Sequence, residues 1–85
     1  MYNFYSDPGH GWLAVPIEDV NKLGIVNKIS RYSYLNDGMA YLEEDCDFEV
    51  FFNAYVNKHG VSPKWKSITL NNNCAVRNYA RFPGA

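Results

Sequence analysis

Hydrophobic positions along the chain change period several times, and each change predicts an element. The clearest run is Phe48, Phe51, Phe52, Tyr55 and Val56. Its i, i+3, i+4, i+7, i+8 spacing is that of an amphipathic helix. Asp45 or Asp47 can cap the first N–H groups, Glu49 sits in the first turn, and Lys58, His59 and Gly60 mark the end.

Other segments alternate with the period of two expected of strands. YNFY and Trp12–Val15 flank SDPGHG, where Pro8 and Gly9 suit the centre of a type II turn starting at Asp7. ISRYSYL and MAYLEE flank Asn36-Asp37-Gly38, a strong hairpin signal. In that hairpin Tyr32 and Tyr34 share one face, and Ser33 and Leu35 the other. KWKSITL sets Trp65, Ser67 and Thr69 against Lys66, Ile68 and Leu70. After the break at NNN, Cys74 to Phe82 reads as a turn followed by an edge strand.

Between the two hairpins Pro16 can open a short helix, with Glu18 and Asp19 at its positive end. Gly24 can close it in the left-handed conformation, with Val20 and Ile25 in contact across a Schellman stop. The predicted order is β-β-α-β-β-α-β with one further edge strand. This is a small α+β domain with an antiparallel or mixed sheet and both helices packed on one face.

Composition fits that picture. The 85 residues are 47% hydrophobic and 16% aromatic, enough for one core in which tyrosine, phenylalanine and tryptophan supply much of the burial. No run of eighteen apolar residues occurs, and MYNFYSDPG has neither a basic nor an apolar leader region. These features predict a cytoplasmic protein in which Cys46 and Cys74, far apart and outside any CxxC, stay as thiols.

Charge is divided along the chain. Residues 1–49 hold all nine acids against three cations, a balance of −6, and residues 50–85 hold five cations and no acid. The acidic half culminates in YLEEDCDFE, Tyr41 to Glu49, with five carboxylates in seven positions around a cysteine. Each charge lies where a helix start would place it, so the stretch reads as a helix entry before it reads as a ligand cluster.

Candidate chemistry is sparse. Asp7, His10, Asp45, Cys46 and Asp47 are suitable metal-ligand types, but their spacing matches no metal signature, and no metal or cofactor is expected. Two histidines and two cysteines carry no nucleophile motif, and DPGHG lacks the Lys-Ser/Thr of a phosphate loop. The expectation is a protein that is not an enzyme.

Two binding surfaces are then legible. One is an acidic and aromatic face of Tyr32, Tyr34, Tyr41, Glu43, Glu44, Asp45, Asp47 and Glu49, joined by Asp7 and His10, suited to a basic partner protein. The alternative is a nucleic-acid surface of Lys64, Trp65, Lys66, Arg77 and Arg81, which mixes cations with aromatics. A pI near 6.0 weighs against the second. Edge strands would permit a homodimer as well as a monomer.

The phrases SDPGHGWLAVP, LGIVNKISRYSY and AYLEEDCD, in that order, resemble a group of small bacteriophage-, prophage- and plasmid-encoded proteins to which no catalytic residue is assigned. The resemblance spans most of residues 4–52, with a looser echo in NNNCAVRNYARF. It implies a phage accessory protein made inside a bacterial cell. Such a protein would act by binding host machinery or a defence complex, such as a restriction or CRISPR system.

Overall fold

A computed structural model describes residues 1–71 and 75–83. Six strands form one mixed sheet: β1 (Tyr2–Ser6), β2 (Gly11–Pro16), β3 (Tyr34–Asn36), β4 (Met39–Glu43), β5 (Trp65–Thr69) and β6 (Ala80–Arg81). Their spatial order is β5-β1-β2-β4-β3-β6. β1 and β5 run parallel, and the other neighbours are antiparallel. A radius of gyration of 12.0 Å matches the roughly 12 Å expected of a compact chain of this length.

The helices α1 (Ile17–Lys22) and α2 (Phe48–His59) cover one face of the sheet. Leu13 and Val15 from β2 and Ala40 and Leu42 from β4 meet Val20, Ile25, Ile29 and Phe51 in the main core. Strand alternation sends Trp12, Tyr34 and Tyr41 to the opposite face. A 3-10 turn, Ala75–Asn78, covers that face through Val76, with Leu70 and Tyr79 alongside. The tyrosine face of the sheet is therefore half-closed by the protein's own C-terminal segment.

Local signals set the punctuation. Asp37 and Gly38 have φ of 50° and 78°, the left-handed pair that a type I′ hairpin turn requires. At Gly24, the Gly24 N–H donates to Asn21 O and the Ile25 N–H to Val20 O. That is the Schellman pair, with Val20 and Ile25 buried beside it.

Three expectations need correction. The turn after β1 is not type II, because Gly9 does not have positive φ. Asp7 Oδ1 instead accepts from the Gly9 and His10 N–H groups, both at 3.0 Å, so the side chain closes the turn. The strand expected over ISRYSYL shrinks to Tyr34–Asn36, preceded by a 3-10 turn, Val26–Lys28, and a tight turn at 30–33. Tyr32 thus lies outside the strand, and it does not share a strand face with Tyr34. Finally, Asp47 stands at the N-cap of α2 without capping it, because its carboxylate is used elsewhere. The expectation for Cys74 lies outside the described residues.

The N-terminal strand is tied to α1 by Tyr2 Oη, which donates to Asp19 Oδ2 at 2.9 Å. Burial first, and then this bond to a carboxylate, push the Tyr2 phenol well above its ordinary value. A folded-state pKa raised above the unfolded one contributes stability that is complete below about pH 10 and is lost as pH climbs beyond it. Tyr2→Phe is expected to lose about 1 kcal/mol at neutral pH and to decline less steeply in alkali. Urea midpoints measured from pH 7 to pH 11 check this. Parallel profiles for the two proteins would show that Tyr2 does not carry the alkaline dependence.

Candidate functional site

Three of the chain's acids are buried, and they are held in three different ways. Asp7, at the β1–β2 turn, meets Arg77 from the C-terminal 3-10 turn in a bidentate pair. Nε lies 2.6 Å from Oδ2, and Nη2 lies 2.8 Å from Oδ1. The same guanidinium lies over the Trp12 ring, 5.2 Å from its centroid. Gly9 is needed beside this pair, since a Cβ there would fall 2.8 Å from Arg77 Nη2. The Trp12 indole N–H, buried below, has no acceptor among the described residues.

Asp47 accepts from the Ser30 N–H at 2.9 Å, from Ser30 Oγ at 2.7 Å and from Ser33 Oγ. Ser33 Oγ in turn accepts from the Glu43 N–H at 2.9 Å. The chain from β4 through α2 is thereby pinned to the 30–33 turn. Three donors on one carboxylate make its burial affordable in charge-assisted hydrogen bonds.

Glu43, the last residue of β4, has a side chain 8% exposed and no guanidinium or ammonium partner among the described residues. It accepts from the Asp45 N–H at 3.1 Å and faces His10 Nδ1 at 3.7 Å, too far for a hydrogen bond. Partial desolvation, then a hydrogen bond to Glu43 and the surrounding carboxylates, push the Cys46 thiol up. Cys46 is an exposed free thiol. A thiol shifted in this direction is a poor nucleophile at neutral pH.

The exposed members of the acidic set are Glu44, Asp45 and Glu49, at and beyond the end of β4. A groove of about 310 Å³ runs beside this loop, lined by His10, Tyr32, Tyr34, Glu43, Asp45, Cys46, Arg77 and Arg81. On the other side Glu44 shares a second groove with Phe4, Phe48, Trp65 and Ser67. Tyr32 is 63% exposed and Trp65 39%. The acidic loop therefore stands between two part-exposed aromatic side chains.

The acidic and aromatic set read from the sequence divides on this basis. His10, Tyr32, Glu44, Asp45 and Glu49 present themselves to solvent. Asp7, Tyr34, Glu43 and Asp47 are buried and Tyr41 is half-buried. These five support the surface and do not form it. The expected five-residue nucleic-acid surface is not assembled. Lys64, Trp65 and Lys66 lie at β5 and Arg81 on β6, opposite edges of the sheet, and Arg77 is engaged by Asp7. Five strand spacings of about 4.8 Å separate those edges by roughly 24 Å. Arg81 lies over Tyr34 and donates to Arg31 O at 3.1 Å.

Sequence reasoning missed the Asp7–Arg77 pair, the serines that hold Asp47, and the burial of Glu43. For Glu43 a signal was present. Leu42 faces the helices, so alternation turns Tyr41 and Glu43 to the other face, which the C-terminal segment covers.

No family model, curated protein or solved structure matches the chain. No helix among the described residues is long and apolar enough to cross a membrane.

Proposed function

We propose that this chain acts by binding another protein, without catalysis, through the exposed acidic loop Glu44-Asp45 and the aromatic side chains on either side of it. The observation that carries this reading is the placement of Tyr32 and Trp65, both part-exposed, in grooves that flank exposed surface carboxylates. Aromatic anchors supply contact area at protein interfaces, and a single-sign rim steers association. The complementary partner is a basic surface. Inside a bacterial cell, nucleic-acid-handling complexes offer such surfaces, because they must hold phosphate.

The resemblance to phage-, prophage- and plasmid-encoded proteins supports the same direction: an accessory protein that inhibits a host complex, with restriction and CRISPR assemblies as the leading class. The nucleic-acid reading is weaker because its five residues are dispersed over two sheet edges and an internal ion pair.

Affinity capture with the tagged chain from bacterial lysate, with and without nuclease, separates the two readings. A stoichiometric protein complex retained after nuclease treatment is the expected result. Loss of every partner with nuclease would make nucleic acid the bridge and overturn direct protein binding.

A further inference from the structure

We propose that Phe4, Phe48, Trp65 and Glu44 form a pocket for an arginine side chain of the partner protein. This inference rests on the protein-binding reading and names the group that the acidic loop recognises.

The pocket is built up from the sheet. Phe4 on β1 and Ser67 on β5 are register partners, and the pleat sends Trp65, two residues from Ser67, to the same face. Phe48, in the first turn of α2, closes the far side. Its ring meets Phe4 at 5.9 Å and Trp65 at 5.1 Å, both edge-on, with interplanar angles of 76° and 86°. Gly11 on β2 leaves the space beside Phe4 open. A Cβ there would fall 2.6 Å from the Phe4 ring and 3.0 Å from Glu44 Oε2, so ring and carboxylate converge over one backbone position. The resulting cavity of about 250 Å³ is lined by the three aromatic rings, Glu44 and Ser67.

This chemistry selects a cation. Aromatic faces attract positive charge, and a carboxylate at the rim adds to the attraction. Glu44 makes no ion pair among the described residues, and the pleat turns Lys66, between Trp65 and Ser67, to the opposite face. The Glu44 N–H donates to Gly11 O at 3.0 Å, which anchors its backbone beside the rings. With Trp65 39% exposed, the pocket is reached without opening the core. Arginine suits it better than lysine. A guanidinium is planar, stacks on rings, presents a fork to a carboxylate and is more weakly hydrated than an ammonium.

Titration of the ¹⁵N-labelled chain with acetyl-Gly-Arg-Gly-amide, followed by ¹H–¹⁵N correlation spectra, tests the proposal. The same tripeptide with citrulline, a neutral isostere of arginine, and with lysine are the comparisons. The expected result is a saturating shift of the Trp65 indole N–H with the arginine peptide, while the indole of Trp12, 1% exposed, stays in place. Citrulline forfeits both the ion pair and the attraction to the rings, so it is expected to bind about tenfold more weakly. Glu44→Gln, an exposed change, is expected to weaken the arginine peptide about threefold. No saturating shift at Trp65 would overturn the pocket, as would citrulline or lysine binding as tightly as arginine, or an affinity unchanged in Glu44→Gln. The titration needs no partner, so the two readings fail separately. A protein captured from lysate with no response to the arginine peptide would overturn the pocket alone, whereas arginine binding with nothing captured would overturn the partner.

Discussion

Phe51→Ala is expected to remove about 3–5 kcal/mol of stability. Phe51 is fully buried, and it is the one residue of α2 that enters the main core completely. Its ring meets Tyr2 edge-on at 5.3 Å and Tyr55 at 5.8 Å, so it joins α2 to β1 as well as to the central strands. At roughly 0.05–0.15 kcal/mol per residue, a domain of this size has about 4–13 kcal/mol in total. The variant should therefore be largely unfolded well below the parent's midpoint in urea. A loss under 1 kcal/mol would contradict the seating of α2 on the sheet.

Arg77→Ala comes next, with an expected cost at or below about 3 kcal/mol, because the ion pair is part-buried and its guanidinium is 32% exposed. The Asp7 side chain has no solvent exposure in the pair and also accepts from the turn N–H groups, while the guanidinium lies over the Trp12 face. Removing the guanidinium leaves a buried charge and uncovers the aromatic ring. Lysine would restore the charge but not the fork, so Arg77→Lys should recover only part of the loss. A double-mutant cycle with Asp7→Asn isolates the pair. Coupling below about 0.5 kcal/mol would mean that Arg77 acts through packing alone.

Both effects bear on what the sequence could disclose. The elements fixed by short-range chemistry were legible: the Asp37-Gly38 turn, the Val20–Ile25 stop at Gly24, and α2 itself. The four-residue turn at 30–33 was not, because Ser30 and Ser33 are held by Asp47, which lies 17 and 14 residues away. The pair that braces the hairpin tip joins positions 70 apart. No window of local spacing contains either contact. The parallel pairing of β1 with β5 is non-local in the same way.

The candidate surface shows the same limit. The sequence reading placed Glu43, Glu44, Asp45 and Asp47 together on one acidic face at a helix entry, and only packing separates them. Asp47 turns toward two serines, Glu43 follows the strand pleat beneath the C-terminal segment, and Glu44 and Asp45 remain outside. Similarly, the basic C-terminal third looked like one surface until the strand order sent β5 and β6 to opposite edges. Sequence proximity of like charges carried no information about their exposure.

The most direct test of the account is a comparison of the parent chain with Glu44→Lys/Asp45→Lys in capture from nuclease-treated bacterial lysate. Both side chains are exposed, so the midpoint of unfolding should shift by no more than about 0.5 kcal/mol. The parent is expected to retain a stoichiometric protein partner and the charge-reversed variant to lose it. Equal capture by both proteins, at matched stability, would contradict the acidic loop as the binding surface.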